Sequence, residues 1–258
     1  MKTDSDLLFE YTEEQIKTAP VLLGESDILK TIQLLPGVKT GTEGTGGLYV
    51  RGGGPDQNLI LLDENGKNFG QFQKLESFVK EQGLNIIFAT NGGMYHNDRS
   101  PVGLYVENFR EVSSLITRDG PGNFGLLPNG VFCFNKREFI ILETEKFAQQ
   151  ELQCNYATQS GPLLVFDGEL HPKFIKGGSS KFIRSGVGIS SDGLTAVFLI
   201  SNKSVNFHDF ASTFSNHLDI DNALYLDGNI SRLYAPKLNR MGFGFDIGPI
   251  AAVVAPAD

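Results

Sequence analysis

Asp227 closes an apolar run, Ala223-Leu224-Tyr225-Leu226, and is followed by Gly228, Asn229, Ser231 and Arg232. A buried strand that ends in this way delivers a carboxylate into a turn, with amide, hydroxyl and guanidinium groups just beyond. The run Leu84–Thr90 likewise ends in Asn91, Gly92 and Gly93, and Gln159, Ser160 and Gly161 form a third such group. Strand ends that carry polar groups and glycines are where enzymes build sites, so an enzyme is the leading reading. Asp227 suits a base or nucleophile, and equally a turn cap before glycine. Arg184 precedes the Ser185-Gly186 turn, where a guanidinium would grip a phosphate in bidentate fashion or make an ordinary surface ion pair. Asn91 and the backbone N–H groups of Gly92 and Gly93 offer an anion cradle, or else a tight hairpin turn. Gln159, Ser160, Gly161, Gly228 and Ser231 are read as donors to a substrate. Ser160 is a poor nucleophile candidate because no His/Asp partner is identifiable. Glu107 is a second carboxylate candidate or an exposed strand-end charge, and Arg232 is a lesser cation candidate.

Composition narrows the classes. A chain of 258 residues with 40% hydrophobic and 20% charged residues can bury a full core in one large or two smaller domains. The net charge of −8 argues against a nucleic-acid partner, although one well-placed Arg can hold a single phosphate. No apolar run is long enough to span a bilayer. Residues 1–15 lack the basic and apolar regions of a signal peptide, so none is expected there. Cys133 and Cys154 are too few for a disulfide framework and are read as core thiols. The four histidines lack metal-binding spacing, so no metal site is expected.

The positioning elements follow from periodicity. A helix is expected over Ser26–Leu35, and short strands over Leu48–Arg51 and Leu59–Leu62. Gly52-Gly53-Gly54 between them runs into Pro55-Asp56 rather than Gly-Lys-Ser/Thr, so it is not a phosphate loop. Phe69, Phe72, Leu75, Phe78 and Val79 recur at helical spacing and stop at Gly83. Strands are expected at Leu84–Thr90, Gly103–Glu107, Gly130–Phe134, Phe139–Glu143, Pro162–Phe166, Val187–Ser190, Ala196–Ile200 and Ala223–Leu226. A second helix is expected over Val205–Leu218. Many strands and few helices predict an α+β fold, a mixed, strand-rich sheet core with a few flanking helices, preceded by a small α/β segment.

Two resemblances rest on longer blocks. Residues 12–64, above all GESDILKTIQLLPGVKTGTEGTGGLYVRGGGPDQNLILLDE, resemble the first half of the plug domain of SusC-type TonB-dependent receptors. The blocks NGGMY, SPVGLYVE, GNFGLLPNGVF, YATQSGPLLV, IRSGVGIS, VNFHDFA and ALYLDGNISRLYAP, spread over residues 65–254, resemble the bacterial phosphodiester glycosidases. The junction near Asp63-Glu64-Asn65 then reads as a crossover between two families, with a plug-like segment at 1–64 and a glycosidase-like domain at 65–258. The second resemblance implies hydrolysis of the bond between a sugar's anomeric carbon and a phosphate oxygen, with Asp227 as the carboxylate and Arg184 as the phosphate partner. It implies a sugar-phosphate substrate and action outside the cytoplasm, which conflicts with the missing export signal and leaves the compartment open; no cofactor is expected. Carboxylates near a phosphate would suit Mg²⁺ or Ca²⁺, but no ligand spacing argues for either. The first resemblance implies contact of the plug-like segment with an outer-membrane partner. The alternative to an enzyme is a noncatalytic module that binds carbohydrate or phosphate, or an envelope receptor.

Overall fold

The computed structural model describes residues 68–135, 137–227 and 230–257 in full, together with the strand backbones of 48–51 and 58–60. The helix expected at Ser26–Leu35, the glycines at 52–54 and Gly228 lie outside the described residues. In chain order the strands are β1 (Leu48–Arg51), β2 (Asn58–Ile60), β3 (Leu84–Asn91), β4 (Tyr105–Glu107), β5 (Arg110–Ser113), β6 (Gly130–Phe134), β7 (Phe139–Glu143) and β8 (Tyr156–Ser160). They continue with β9 (Leu163–Phe166), β10 (Glu169–Leu170), β11 (Ser185–Ile189), β12 (Thr195–Ile200), β13 (Asn222–Asp227), β14 (Leu233–Ala235), β15 (Arg240–Met241) and β16 (Ile250–Pro256). The helices are α1 (Phe72–Glu81), α2 (Thr144–Ala148) and α3 (Phe207–Ser212), the last running on as a wider π-helical turn over Thr213–His217.

The strand-rich α+β reading holds, with one correction. Where a mixed sheet was expected, the described strands form three antiparallel sheets, ordered β1-β12-β11-β13-β9-β10, β15-β14-β3-β16-β2 and β5-β4-β8-β6-β7. The connections explain this: β6 to β7 and β11 to β12 are short returns, and short returns can join only antiparallel neighbours. β1 and β2, both before Asn65, pair with β12 and β16 and form one edge of each of two sheets.

Period-two alternation along β13 sorts its side chains between two cores. Leu224 and Leu226 face inward with Tyr105, Phe132, Phe139, Tyr156 and Val187, between the first and third sheets. Ala223 and Tyr225 face outward, where Phe210, Ala211 and Phe214 of α3 and its extension cover the sheet. Each such large side chain contributes about 1.5–3 kcal/mol when fully buried. At Gly188 of β11 an added Cβ would meet Phe214 and Ile220 at 2.8 Å, so glycine lets this helical layer sit directly on the strand. Asn206 caps α3, accepting the Asp209 amide at 2.8 Å while its Nδ2 donates to the Asp209 carboxylate at 2.9 Å. Phe72, Leu75 and Val79 of α1 pack on Ile86, Ala89, Tyr234 and Ala252 of the second sheet. Gly83, at φ +72°, ends that helix as the sequence predicts.

Cys133 and Cys154 are not free thiols. They form a disulfide between β6 and the segment entering β8, with Cα atoms 5.7 Å apart. Neighbouring antiparallel strands bring the two side chains to one face, where Leu104, Val131 and Ala157 surround them.

Candidate functional site

β13 ends at Asp227, beside β11, in register with Ser185. The strand is apolar because its middle is buried on both faces, and its last carboxylate emerges into a cleft of about 850 Å³. The cleft has a charged wall built by two loops. Tyr95, His96 and Arg99 come from the loop that leaves β3. Arg118, Asp119 and Asn123 come from the loop between β5 and β6. Met94, Phe124 and Ile230 supply apolar surface. Arg99 lies over the Tyr95 ring, 5.1 Å from its centroid. Burial raises the Tyr95 phenol above its ordinary range, and the Asp227 carboxylate adds to that effect; Arg99 and Arg232 oppose it. The Tyr95 phenol thus feels one carboxylate and two guanidinium groups, of which Arg99 shares the cleft wall with it.

The loops are held by groups that the sequence offered as substrate donors. Gln159, almost wholly buried on β8, accepts the amides of Leu104 and Ile116 through Oε1, both at 3.0 Å. Its Nε2 donates to the Ile116 carbonyl at 2.7 Å, so one carboxamide pins the root of the Arg118–Asn123 loop. Asn91 is fully buried and clamps the far side of the Asp227 turn. Its Nδ2 donates to the Ile230 carbonyl at 2.7 Å and its Oδ1 accepts the Arg232 amide at 3.0 Å. Ser160 Oγ donates to the Leu226 carbonyl at 3.2 Å, and Ser231 Oγ to the Asp227 carbonyl at 2.8 Å. Gly92 donates its N–H to the Pro249 carbonyl at 2.7 Å. The anion cradle expected at Asn91-Gly92 is therefore engaged inside the protein. A Cβ at Gly93 would meet Thr158 Oγ1 at 2.5 Å, and one at Gly161 would meet Asn129 Cβ at 2.6 Å, so these glycines serve close packing.

Two further expectations change. Arg184 is 1% exposed and is not among the residues lining the cleft. Its Nε donates to the Val205 carbonyl at 2.8 Å, Nη1 to the Tyr225 hydroxyl at 3.1 Å and Nη2 to the Ser180 carbonyl at 3.0 Å. Its Cζ sits 3.6 Å from the centroid of the Phe207 ring. Burial lowers its pKa, while Tyr225 works the other way; Tyr225 itself is pushed up to about 12, chiefly by burial. Glu107 lies on β4 opposite Arg110 and Tyr156, and it too does not line the cleft. The sequence reading passed over Tyr95, His96, Arg99, Arg118 and Asp119. Their signal was present in two loop stretches, MYHNDRSP and TRDGPGNF, which are dense in charge and turn formers directly after strand-like runs. Among the described residues no group of three His, Cys, Asp or Glu side chains is placed to hold a metal ion.

The family model for phosphodiester glycosidases matches residues 84–244, from the start of β3 to beyond β15. The chain belongs to the phosphodiester glycosidase family. The matched stretch contains every residue that lines the cleft. The uncharacterized protein YigE of Escherichia coli (strain K12) is 38% identical over 170 residues, which is 66% of this chain and 66% of that protein. Among solved structures, the zebrafish N-acetylglucosamine-1-phosphodiester alpha-N-acetylglucosaminidase catalytic domain, auto-inhibited by its pro-peptide, is similar in fold. It is 15% identical, with a TM-score of 0.53 over 76% of this chain and 72% of that one. A protein from Burkholderia pseudomallei is 10% identical, with a TM-score of 0.50 over 81% and 71% of the two chains. At these identities the two solved structures speak to architecture alone.

Proposed function

We propose that the protein is a hydrolase that cleaves the glycosidic bond of a sugar-1-phosphodiester of the N-acetylglucosamine-phosphate type. One observation supports this most: a strand-end carboxylate, Asp227, opens into the same cleft as Arg99 and Arg118, within the family-matched stretch. A sugar phosphodiester carries one negative charge on its phosphate and develops positive charge at the anomeric carbon as the bond breaks. The two arginines suit the first, since guanidinium groups pair with phosphate oxygens. Asp227 suits the second, as a nucleophile or as the base for an attacking water. The phosphate leaves with its charge already spread over several oxygens, so little proton donation is needed. Asn91, Gln159, Ser160 and Ser231 then act as positioning residues, holding the two loops and the Asp227 turn in one geometry.

The test is release of sugar from N-acetylglucosamine-1-phosphate esterified to a chromogenic alcohol, with and without added Mg²⁺ and with EDTA. Turnover by the natural chain, and at least about a hundredfold loss in Asp227→Asn with unchanged thermal unfolding, is the expected result. Absence of release in all metal arms, or an active Asp227→Asn variant, would overturn the reading.

A further inference from the structure

Among the described residues, the two most exposed phenylalanines stand close together in the sequence. Phe243 is 73% exposed and Phe245 is 80% exposed, with Met241 beside them at 37%. They lie on the strap that leaves β15 at the edge of the second sheet and returns to β16. That strap crosses the sheet end at which β3 hands the chain to the cleft. Gly242 packs on Phe72 and on the Leu233 carbonyl, and Gly244, between the two phenylalanines, packs on the Arg232 guanidinium. Ile247 N–H donates to the Gly70 carbonyl at 2.8 Å, and Gln71 Nε2 donates to the Asp246 carboxylate at 2.8 Å. Gly248 packs on the Tyr95 ring, and Tyr95 is the cleft wall. The strap is thus held at several points along its length, leaves both aromatic side chains exposed, and touches the cleft through Gly248 against Tyr95. Fixed aromatic surface left in water beside a binding cleft marks a place where apolar matter docks.

Resting on the hydrolase reading, we propose that Phe243 and Phe245 form an aglycone subsite, which seats the apolar alcohol portion of an amphiphilic sugar phosphodiester. The division of surface argues for this occupant. Arg99, Arg118, His96, Asp119 and Asp227 line the cleft among apolar side chains, so the charged end of a ligand finds its partners there. The neighbouring strap offers Met241, Phe243 and Phe245, so the part held there is apolar. One molecule that meets both surfaces carries a sugar phosphate at one end and a hydrocarbon at the other.

Two substrates with the same N-acetylglucosamine-1-phosphate, one esterified to methanol and one to dodecanol below its micellar concentration, test the subsite. The natural chain is expected to favour the dodecyl ester at least tenfold in kcat/KM. Phe243→Ser/Phe245→Ser is expected to lose that preference and to cleave the methyl ester within twofold of the natural rate. Equal kcat/KM for both esters in the natural chain, or a preference that survives the double substitution, would overturn the subsite. If neither ester is cleaved, the hydrolase reading fails separately, and calorimetric binding of the matching uncleavable phosphonates decides the subsite. Tenfold tighter binding of the dodecyl phosphonate, lost in the double variant, supports it, and equal affinities refute it. Binding to phosphatidylcholine vesicles that carry no sugar phosphate, abolished by the same substitutions, would assign the pair to a lipid surface and overturn the proposal.

Discussion

Asn91 Oδ1 accepts the backbone amide of Arg232 at 3.0 Å, across 141 residues of sequence, while its Nδ2 holds the Ile230 carbonyl at 2.7 Å. A single buried carboxamide therefore fixes the chain just after the Asp227 turn, including Ile230 of the cleft lining. Replacing it with Ala leaves two buried backbone groups without partners, each at a cost of about 1–3 kcal/mol. Asn91→Ala is expected to lose about 3 kcal/mol of stability in urea unfolding. Its Arg232 amide is expected to exchange with deuterium faster than in the natural chain.

The arginines separate by role. Arg184 makes three hydrogen bonds inside the protein and stacks on Phe207. Truncation would leave the Val205 and Ser180 carbonyls and the Tyr225 hydroxyl without this donor and open a cavity beside α3. Arg184→Ala is expected to cost about 3 kcal/mol, read as a lower urea midpoint. Arg99→Ala and Arg118→Ala are expected to leave the midpoint nearly unchanged. Under the proposed function each raises KM about tenfold, and added salt weakens substrate binding less in the double variant than in the natural chain.

The disulfide closes a loop between Cys133 and Cys154, 21 residues apart. By the loop-entropy estimate such a crosslink contributes about 3 kcal/mol. Cys133→Ala/Cys154→Ala is expected to show the corresponding fall in unfolding free energy. Dithiothreitol is expected to destabilise the natural chain and leave the double variant unaffected. Neither cysteine lines the cleft, so turnover by the folded variant should stay close to natural.

His171 is buried under Phe174, with ring centroids 4.7 Å apart. Its Nε2 is 3.0 Å from the Leu127 carbonyl, and its Nδ1 accepts the Lys173 amide at 3.2 Å. This pairing suits a neutral ring, and burial holds its pKa below the ordinary 6.5, against the pull of the Leu127 carbonyl. Below pH 6.5 the unfolded chain takes up a proton that the folded chain refuses until lower pH. Stability thus falls with falling pH through that window and is whole above it. Thermal unfolding between pH 7 and pH 5 is expected to show a fall in stability that is smaller in His171→Gln.

Much of the scaffold could be read from local pattern. Gly130–Phe134 and Phe139–Glu143 are strands with the expected bounds, and α1 ends at Gly83, because apolar period and turn residues act over a few positions. Tyr156–Ser160 and Ile250–Pro256 escaped as strands: the first mixes polar and apolar residues on a strand buried on both faces, and the second ends in proline. Asp227 could be read as well, since an apolar strand ending in a carboxylate needs no distant partner to declare itself.

The destinations of the other polar side chains could not be read in this way. Asn91, Gln159 and Ser160 are the residue types that hold substrates and also the types that hold backbone; which they do depends on Ile230, Ile116 and Leu226, brought near only by folding. Arg184 turns from solvent toward Phe207 and Tyr225 because α3 lies on that face of the sheet. The sequence by itself determined the strand-rich architecture and the carboxylate at the end of β13, because periodicity and strand termination are short-range effects. Tertiary structure alone decided that Arg99 and Arg118 share a cleft with Asp227 while Arg184 does not line it, and that Cys133 meets Cys154. Those pairings depend on long-range packing and hydrogen bonds between segments far apart along the chain.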